Sequence, residues 1–232
     1  GNVTTGGVLF DGTENLSLTA SAAGGYADLL IVQGTGSYDG KGGTDTVYAN
    51  WSAATTNIVW ENAPTATEVI NGVTVAKSQS VNGSTFTAVE RLLVQTGSGN
   101  DKITNIYAGN GTNDEIVTGA GNDTISAGAG SDRIEAGTGD DVITVVANSG
   151  ESDVVSGGTG IDSLTIDASG NGQGDIYWNG INSAGTTLAS VGYTASMTAI
   201  QTLLDGAVKF GVRLGNVTTG GVLFDGTENL SL

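Results

Sequence analysis

Eight aspartates recur at the sixth position of glycine-rich blocks of nine residues, and a Val, Ile or Leu follows each of them two residues later. Four consecutive copies, starting at Gly109, fill residues 109–144, and others occupy 40–48, 96–104 and 157–165, with a degenerate copy ending at residue 156. The aspartates are Asp45, Asp101, Asp114, Asp123, Asp132, Asp141, Asp153 and Asp162. Carboxylates repeated at this spacing are candidate ligands for a cation.

The elements that would position these aspartates are short strands separated by glycine-rich turns. Side chains alternate along a strand, so the eighth residue of a block faces inward while the seventh and ninth face outward. One block then makes half a coil, two blocks complete it, and aspartates eighteen residues apart lie above one another, as Asp114 above Asp132 and Asp123 above Asp141.

Stacked carboxylates about 4.8 Å apart would repel by about 1 kcal/mol in water and ~3 kcal/mol at an effective dielectric near 20. A cation between the turns would relieve this repulsion. Carboxylate and backbone carbonyl oxygens form a hard donor set that suits Ca²⁺ better than zinc, copper or Mg²⁺. The alternative is that each aspartate only caps its own turn, but eight copies in the same register favour the cation.

The blocks resemble the GGxGxDxUx nonapeptide of the RTX (repeats-in-toxin) family of secreted calcium-binding β-rolls. Residues 157–164 match that pattern fully, and the resemblance covers about a third of the chain. It implies type I secretion, folding outside the cell on meeting calcium, and Ca²⁺ held by the sixth-position aspartates with backbone carbonyls of the turns. The carbonyls are those near Gly109, Gly111, Gly119, Gly121, Gly128, Gly130, Gly137, Gly139, Gly158 and Gly160. Insertions at 105–108 and near Asn148 break the register around Asp101, Asp153 and Asp162, and Asp45 is isolated.

Composition excludes several function classes. The chain has 232 residues, a net charge of −17, and neither histidine nor cysteine. Imidazole catalysis, Ser-His triads, thiol nucleophiles, Cys-type zinc sites and disulfides are therefore absent. The negative charge disfavours nucleic acid and anionic membranes as partners, and no apolar run is long enough to insert into a membrane. We expect no enzymatic activity.

Residues 1–18 are identical to residues 215–232, so the chain contains one full unit of 214 residues and the start of the next. We predict an all-β fold, a parallel β-roll or solenoid with Ca²⁺-binding turns and flanking hairpin segments. Residues 1–95 form a β-rich half-unit with a degenerate roll block at 40–48 and a hairpin insertion. Residues 96–167 form the calcium roll, 168–214 a second β insertion, and 215–232 the opening of the next unit.

Two segments outside the blocks carry local signals. Asn71-Gly72 between alternating residues predicts a hairpin over 68–75. Residues 194–204 have apolar side chains at helical spacing, yet their similarity to 86–92 favours a strand, and the sequence leaves both open.

The favoured function is a Ca²⁺-binding extracellular structural repeat of a giant bacterial adhesin, surface layer or filament, with neighbouring copies as partners. The alternative is a carbohydrate-binding or accessory module of a type I-secreted enzyme, with surface glycans as partners. Aromatic residues could stack on sugar rings, although alternation with apolar neighbours favours packing roles. They are Tyr48, Trp51, Trp60, Tyr177 and Trp178.

Overall fold

The structure is a computed structural model that describes residues 15–20, 25–63, 65–105, 111–148, 150–169, 176–188, 190, 194–214 and 221–232. Its strands are β1 (Asn15–Thr19), β2 (Leu29–Ile31), β3 (Thr35–Asp39), β4 (Thr46–Asn50), β5 (Val59–Asn62), β6 (Thr67–Ile70), β7 (Val73–Ala76), β8 (Gln79–Val81), β9 (Ser84–Thr87), β10 (Arg91–Gln95), β11 (Lys102–Asn105), β12 (Glu115–Ala120), β13 (Thr124–Ser126), β14 (Arg133–Thr138), β15 (Val142–Val146), β16 (Ser152–Thr159), β17 (Ser163–Asp167), β18 (Ile176–Ile181), β19 (Lys209–Leu214), β20 (Gly221–Asp225) and β21 (Asn229–Ser231). One helix, α1 (Met197–Gly206), accompanies them among these residues. The fold is therefore mostly β, as predicted.

Two sheets take alternate strands of the repeat tract. From β10 to β17 the chain passes back and forth between a nine-stranded sheet, ordered β18-β19-β20-β16-β14-β12-β10-β4-β2, and a six-stranded sheet, ordered β21-β17-β15-β13-β11-β5. Neighbouring strands of the tract are parallel, with Ile116 beside Ile134 in one sheet and Ile125 beside Ile143 in the other. Each nonapeptide thus supplies one strand and one turn. The nine-stranded sheet is mixed, because β18, β19 and β20 pair antiparallel.

The core lies between these sheets and is built from the eighth residue of each block. These side chains are at most 1 % exposed, as the alternation predicts, and each contributes roughly 1.5–3 kcal/mol by leaving water. They are Val47, Ile103, Ile116, Ile125, Ile134, Ile143, Val155 and Leu164. Each block contributes one such residue, so the core continues from block to block along both sheets.

An aromatic cluster extends this core toward the start of the chain. Trp60 and Phe86 stack with ring centroids 4.5 Å apart, and Tyr38 stacks on Phe86 at 5.5 Å. These three side chains are fully buried. Trp60 is therefore a packing residue, whereas Tyr48 is exposed. Tyr38 and Phe86 belong to a four-stranded sheet ordered β1-β3-β9-β8, and Trp60 belongs to β5 of the six-stranded sheet.

The hairpin predicted over 68–75 is confirmed as β6 and β7, which pair antiparallel. Asn71 and Gly72 have φ of 51° and 81°, as a primed two-residue turn requires. This hairpin pairs with no other described strand.

The ambiguous segment at 194–204 becomes helical from Met197 onward, as part of α1, so its helical spacing was the correct signal and the strand interpretation is wrong. Ser196 caps the helix by accepting a hydrogen bond from the Ala199 amide, and Leu203 is its buried residue. The strand at the matching position, β9, buries Phe86 in the aromatic cluster, while Met197 is 87 % exposed. The Ser196 cap and the helical spacing of the apolar residues stabilise the helix here.

Candidate metal centre

The predicted aspartates lie in two lines, one along each large sheet, at the point where a turn enters a strand. The first line runs along the nine-stranded sheet and the second along the six-stranded sheet. All eight side chains are at most 2 % exposed. The first line contains Asp45, Asp114, Asp132 and Asp153, and the second contains Asp101, Asp123, Asp141 and Asp162. The structure thus brings the predicted residues together as two separate rows.

Within each line, the backbone N–H of one aspartate donates a hydrogen bond to Oδ1 of the aspartate in the next coil. In the first line Asp114 donates to Asp132 at 2.8 Å and Asp132 to Asp153 at 3.0 Å. In the second line the bonds from Asp101 to Asp123, from Asp123 to Asp141 and from Asp141 to Asp162 measure 2.7, 2.8 and 2.9 Å. The stacking of Asp114 with Asp132 and of Asp123 with Asp141 is as predicted. One carboxylate oxygen of each bonded residue is therefore used to hold the stack.

The other oxygen, Oδ2, is buried without a hydrogen-bond partner in six of the eight residues. These are Asp45, Asp101, Asp123, Asp132, Asp141 and Asp162. Leaving a buried carboxylate oxygen unpaired costs a large part of its hydration free energy. A row of such oxygens is the expected position for a cation, and the residues present fit Ca²⁺, which takes carboxylate and carbonyl oxygens together.

Asp114 differs from the other aspartates because side chains of the protein complete its hydrogen bonds. Its Oδ1 accepts from the Leu92 amide at 2.8 Å and from the Thr112 hydroxyl at 3.2 Å, and its Oδ2 accepts from Asn105 Nδ2 at 2.8 Å. Asn105 lies in the insertion that breaks the repeat register. The insertion thus supplies a neutral partner to an oxygen that stays unpaired in six of the other seven aspartates.

Burial disfavours the charged form of these carboxylates. It raises the pKa of Asp132 to about 8, helped by repulsion from Asp114 and Asp153, and raises the pKa of Asp153 to about 7. The pKa values of Asp114 and Asp141 rise to about 6 for the same main reason. Burial also raises the pKa values of Asp45, Asp123 and Asp162. At neutral pH the rows are therefore electrostatically unfavourable until a positive charge joins them.

The turn glycines allow the coils to stack closely. A Cβ on Gly137 would lie 2.0 Å from the Gly119 carbonyl oxygen, and one on Gly139 would lie 2.0 Å from that of Gly121. Both glycines have positive φ, 112° and 131°. Gly111, Gly128, Gly130, Gly158 and Gly160 lie in equivalent close contacts between turns, while Gly109 is outside the described residues. The predicted carbonyl ligands thus belong to turns that only glycine fits.

Sequence analysis missed three acids that belong to the two lines. The Asp45 amide donates to Glu90 Oε2 at 2.7 Å, and the Asp162 amide donates to Glu228 Oε2 at 2.8 Å. Asp28, at the other end of the first line, donates its amide to Asp45 Oδ1 at 2.8 Å. Each of the three stands two residues before a leucine, which is the same spacing as in the nonapeptides. Asp45, isolated in the sequence, is thus flanked on both sides in the structure.

Among the described ranges, no group of three or more acidic side chains is placed so that it could hold a metal ion. No described helix is long and apolar enough to cross a membrane.

Comparison with known protein families matches residues 108–143 to four copies of the RTX calcium-binding nonapeptide repeat. That range contains Asp114, Asp123, Asp132 and Asp141. No curated protein matches the chain in sequence. The family repeat binds Ca²⁺, so the cofactor of this tract is calcium.

Proposed function

Because residues 108–143 are RTX calcium-binding nonapeptide repeats, we propose that this chain is a calcium-stiffened structural unit of an extracellular bacterial protein, folded as a parallel β-roll. The observation that carries the proposal is the set of buried, unpaired Oδ2 atoms along the two aspartate lines. Proteins with this repeat are typically secreted, and calcium is far more abundant outside the cell than inside it.

The six aspartates with unpaired Oδ2 atoms supply carboxylate ligands, and the glycine turns supply backbone carbonyls. Bound Ca²⁺ contributes two positive charges between turns that otherwise repel each other. Oδ1 keeps its hydrogen bond to the neighbouring amide, as in the bond from Asp123 to Asp141, while Oδ2 faces the ion. Metal binding and folding are then coupled, since the site exists only when successive coils are stacked.

The exact repetition of the first eighteen residues at 215–232 supports a head-to-tail array of such units. The second copy contributes β20 and β21, which extend both large sheets by parallel pairing with β16 and β17. Arrays of this kind suit an adhesin, a surface layer or a filament, in which neighbouring copies of the unit are the main partners.

The test is urea unfolding of the whole chain in millimolar Ca²⁺ and in chelator, with equilibrium dialysis to count bound ions. Calcium should give one steep cooperative transition at higher urea, and chelator a broad transition at lower urea. Mg²⁺ at the same concentration serves as the control and should leave the chelator curve unchanged. Identical curves in Ca²⁺ and chelator would overturn the proposal.

A further inference from the structure

Two copies of one segment lie at the edges of two different sheets. Asn-Leu-Ser-Leu occurs at 15–18, within β1, and again at 229–232, where it includes β21. Among the described strands, β1 ends the four-stranded sheet beside β3, and β21 ends the six-stranded sheet beside β17. Both pairings are parallel. The same residues thus use one partner at the start of the unit and another at its end.

The two copies use opposite edges of the strand. The Ala20 amide donates to the Asp39 carbonyl at 2.7 Å, so the even-numbered residues of β1, Leu16 and Leu18, direct their backbone groups toward β3. The Asn229 amide donates to the Asp162 carbonyl at 2.9 Å, so Asn229 and Ser231 face β17. These two residues correspond to Asn15 and Ser17, whose backbone groups point away from β3. A single strand could therefore make both sets of bonds at once.

The side chains of the two copies support the same arrangement as their backbone hydrogen bonds. Leu16 and Leu18 pack partly against the core, and Leu18 is paired with the buried Tyr38. Leu230, the equivalent of Leu16, is paired with the buried Leu164 but remains 38 % exposed. The same leucine face points inward in both copies. Within the part of the chain that the structure describes, each copy has a neighbouring strand on one side only.

We propose that residues 229–232 of this chain, which in an array are residues 15–18 of the next unit, form a single strand shared by the two consecutive units. This inference rests on the head-to-tail array proposed above, and the partner is a second copy of this unit. The shared strand joins the six-stranded sheet of one unit to the four-stranded sheet of the next. The junction is then continuous β-sheet, and two strand edges that would be open in a separate unit are closed.

The test compares the present chain with a chain of two consecutive units closed by the same eighteen-residue segment, both in millimolar Ca²⁺. Amide hydrogen exchange is measured by NMR with the junction segment isotopically labelled. In the present chain the Leu230 amide faces the open edge and should exchange fast. In the two-unit chain the same amide should donate to β3 of the second unit and exchange at least 100-fold more slowly. The Asn229 amide, which is bonded to Asp162 in both chains, is the internal control.

Two results would overturn the shared strand. If the Leu230 amide exchanges equally fast in both chains, the units are joined by a strand that pairs on one side only. If it slows while the Asn229 amide loses its protection, the strand has moved from one unit to the other. Calcium binding by both chains, measured alongside, separates these outcomes from failure of the proposed function, in which neither chain would bind the ion.

Discussion

Replacing Asp132 by asparagine separates the role of its charge from the role of its hydrogen bond. Asparagine keeps the Oδ1 that accepts from the Asp114 amide and removes the negative charge. The pKa of Asp132 is raised by burial from 3.8 to about 8. At about 1.4 kcal/mol per pKa unit, the raised pKa of Asp132 lowers the free energy of unfolding of the calcium-free protein near pH 7.5 by up to roughly 5 kcal/mol. Removing the charge should recover part of this free energy, but entry of water and the unpaired amide nitrogen of asparagine each reduce the stabilisation.

We therefore expect Asp132→Asn to stabilise the calcium-free protein by about 2 kcal/mol at pH 7.5. In millimolar Ca²⁺ the sign reverses, because the variant loses a carboxylate ligand and about 100-fold in affinity at that site. That loss is ~2.7 kcal/mol, which exceeds the gain of about 2 kcal/mol. The assay is urea unfolding followed by intrinsic tryptophan fluorescence, to which the buried Trp60 contributes, in chelator and in Ca²⁺. Glu68→Gln, in the exposed β6–β7 hairpin, removes the same charge and should change neither curve.

Asp132→Ala completes the comparison, because it also removes the acceptor of the Asp114 amide. It should destabilise the protein in Ca²⁺ more than asparagine does, and it should lack the stabilisation in chelator. The reasoning is refuted if Asp132→Asn stabilises the protein equally in chelator and in Ca²⁺. The carboxylate would then only cap its turn, and its negative charge would not bind a cation.

Three further predictions test the stacking, the end of the unit and the charge. Gly137→Ala should lower the free energy of unfolding by about 3 kcal/mol or more, because its Cβ meets a carbonyl oxygen at positive φ. Gly42→Ala, whose Cβ meets nothing within 4 Å, is the control. Equal urea midpoints for the two variants would contradict close stacking of the turns. Deleting 215–232 should lower the melting temperature in Ca²⁺, because it removes β20, with the buried Phe224, and uncovers β16; an unchanged melting temperature would show that these residues do not complete the fold. In chelator the free energy of unfolding should fall as pH rises from about 4 to 8, since the folded chain holds protons that the unfolded chain has released. Asp132→Asn should flatten that fall, and stability that increases over this range would refute the raised pKa.

The nonapeptide tract could be predicted from sequence because the nine-residue repeat of the blocks coincides with the two-residue alternation of side chains along a strand. The strand period places the eighth residue inward, so Ile116 and Ile134 had to share the core if the blocks were half-coils. The bond from each aspartate amide to the next Oδ1 could not be predicted, because it depends on the three-dimensional path of the turn. Asp28 and Glu90 could have been found by searching for an acid two residues before a leucine, without requiring a glycine block.

Similarity between segments was a weaker guide than periodicity. Residues 45–52 and 162–169 align, and both form a strand after an aspartate, yet β4 lies in the nine-stranded sheet and β17 in the six-stranded sheet. Residues 86–92 and 197–203 also align, but one forms strands and the other α1. In both cases the neighbouring strands, which a local alignment does not contain, decide the outcome.

The hydrogen-bonded rows explain why the insertions leave the aspartate lines continuous. Successive aspartates in a line are eighteen residues apart from Asp114 to Asp132, but twenty-two from Asp101 to Asp123 and twenty-one from Asp132 to Asp153. The bond lengths stay between 2.7 and 3.0 Å in all three pairs. What the bond requires is that the aspartate lie within one residue of the start of its strand, and the length of chain between strands does not matter. The aspartate lines are therefore independent of the number of residues between strands, and an insertion alters the ion site only when, like Asn105, it places a side chain on the carboxylate.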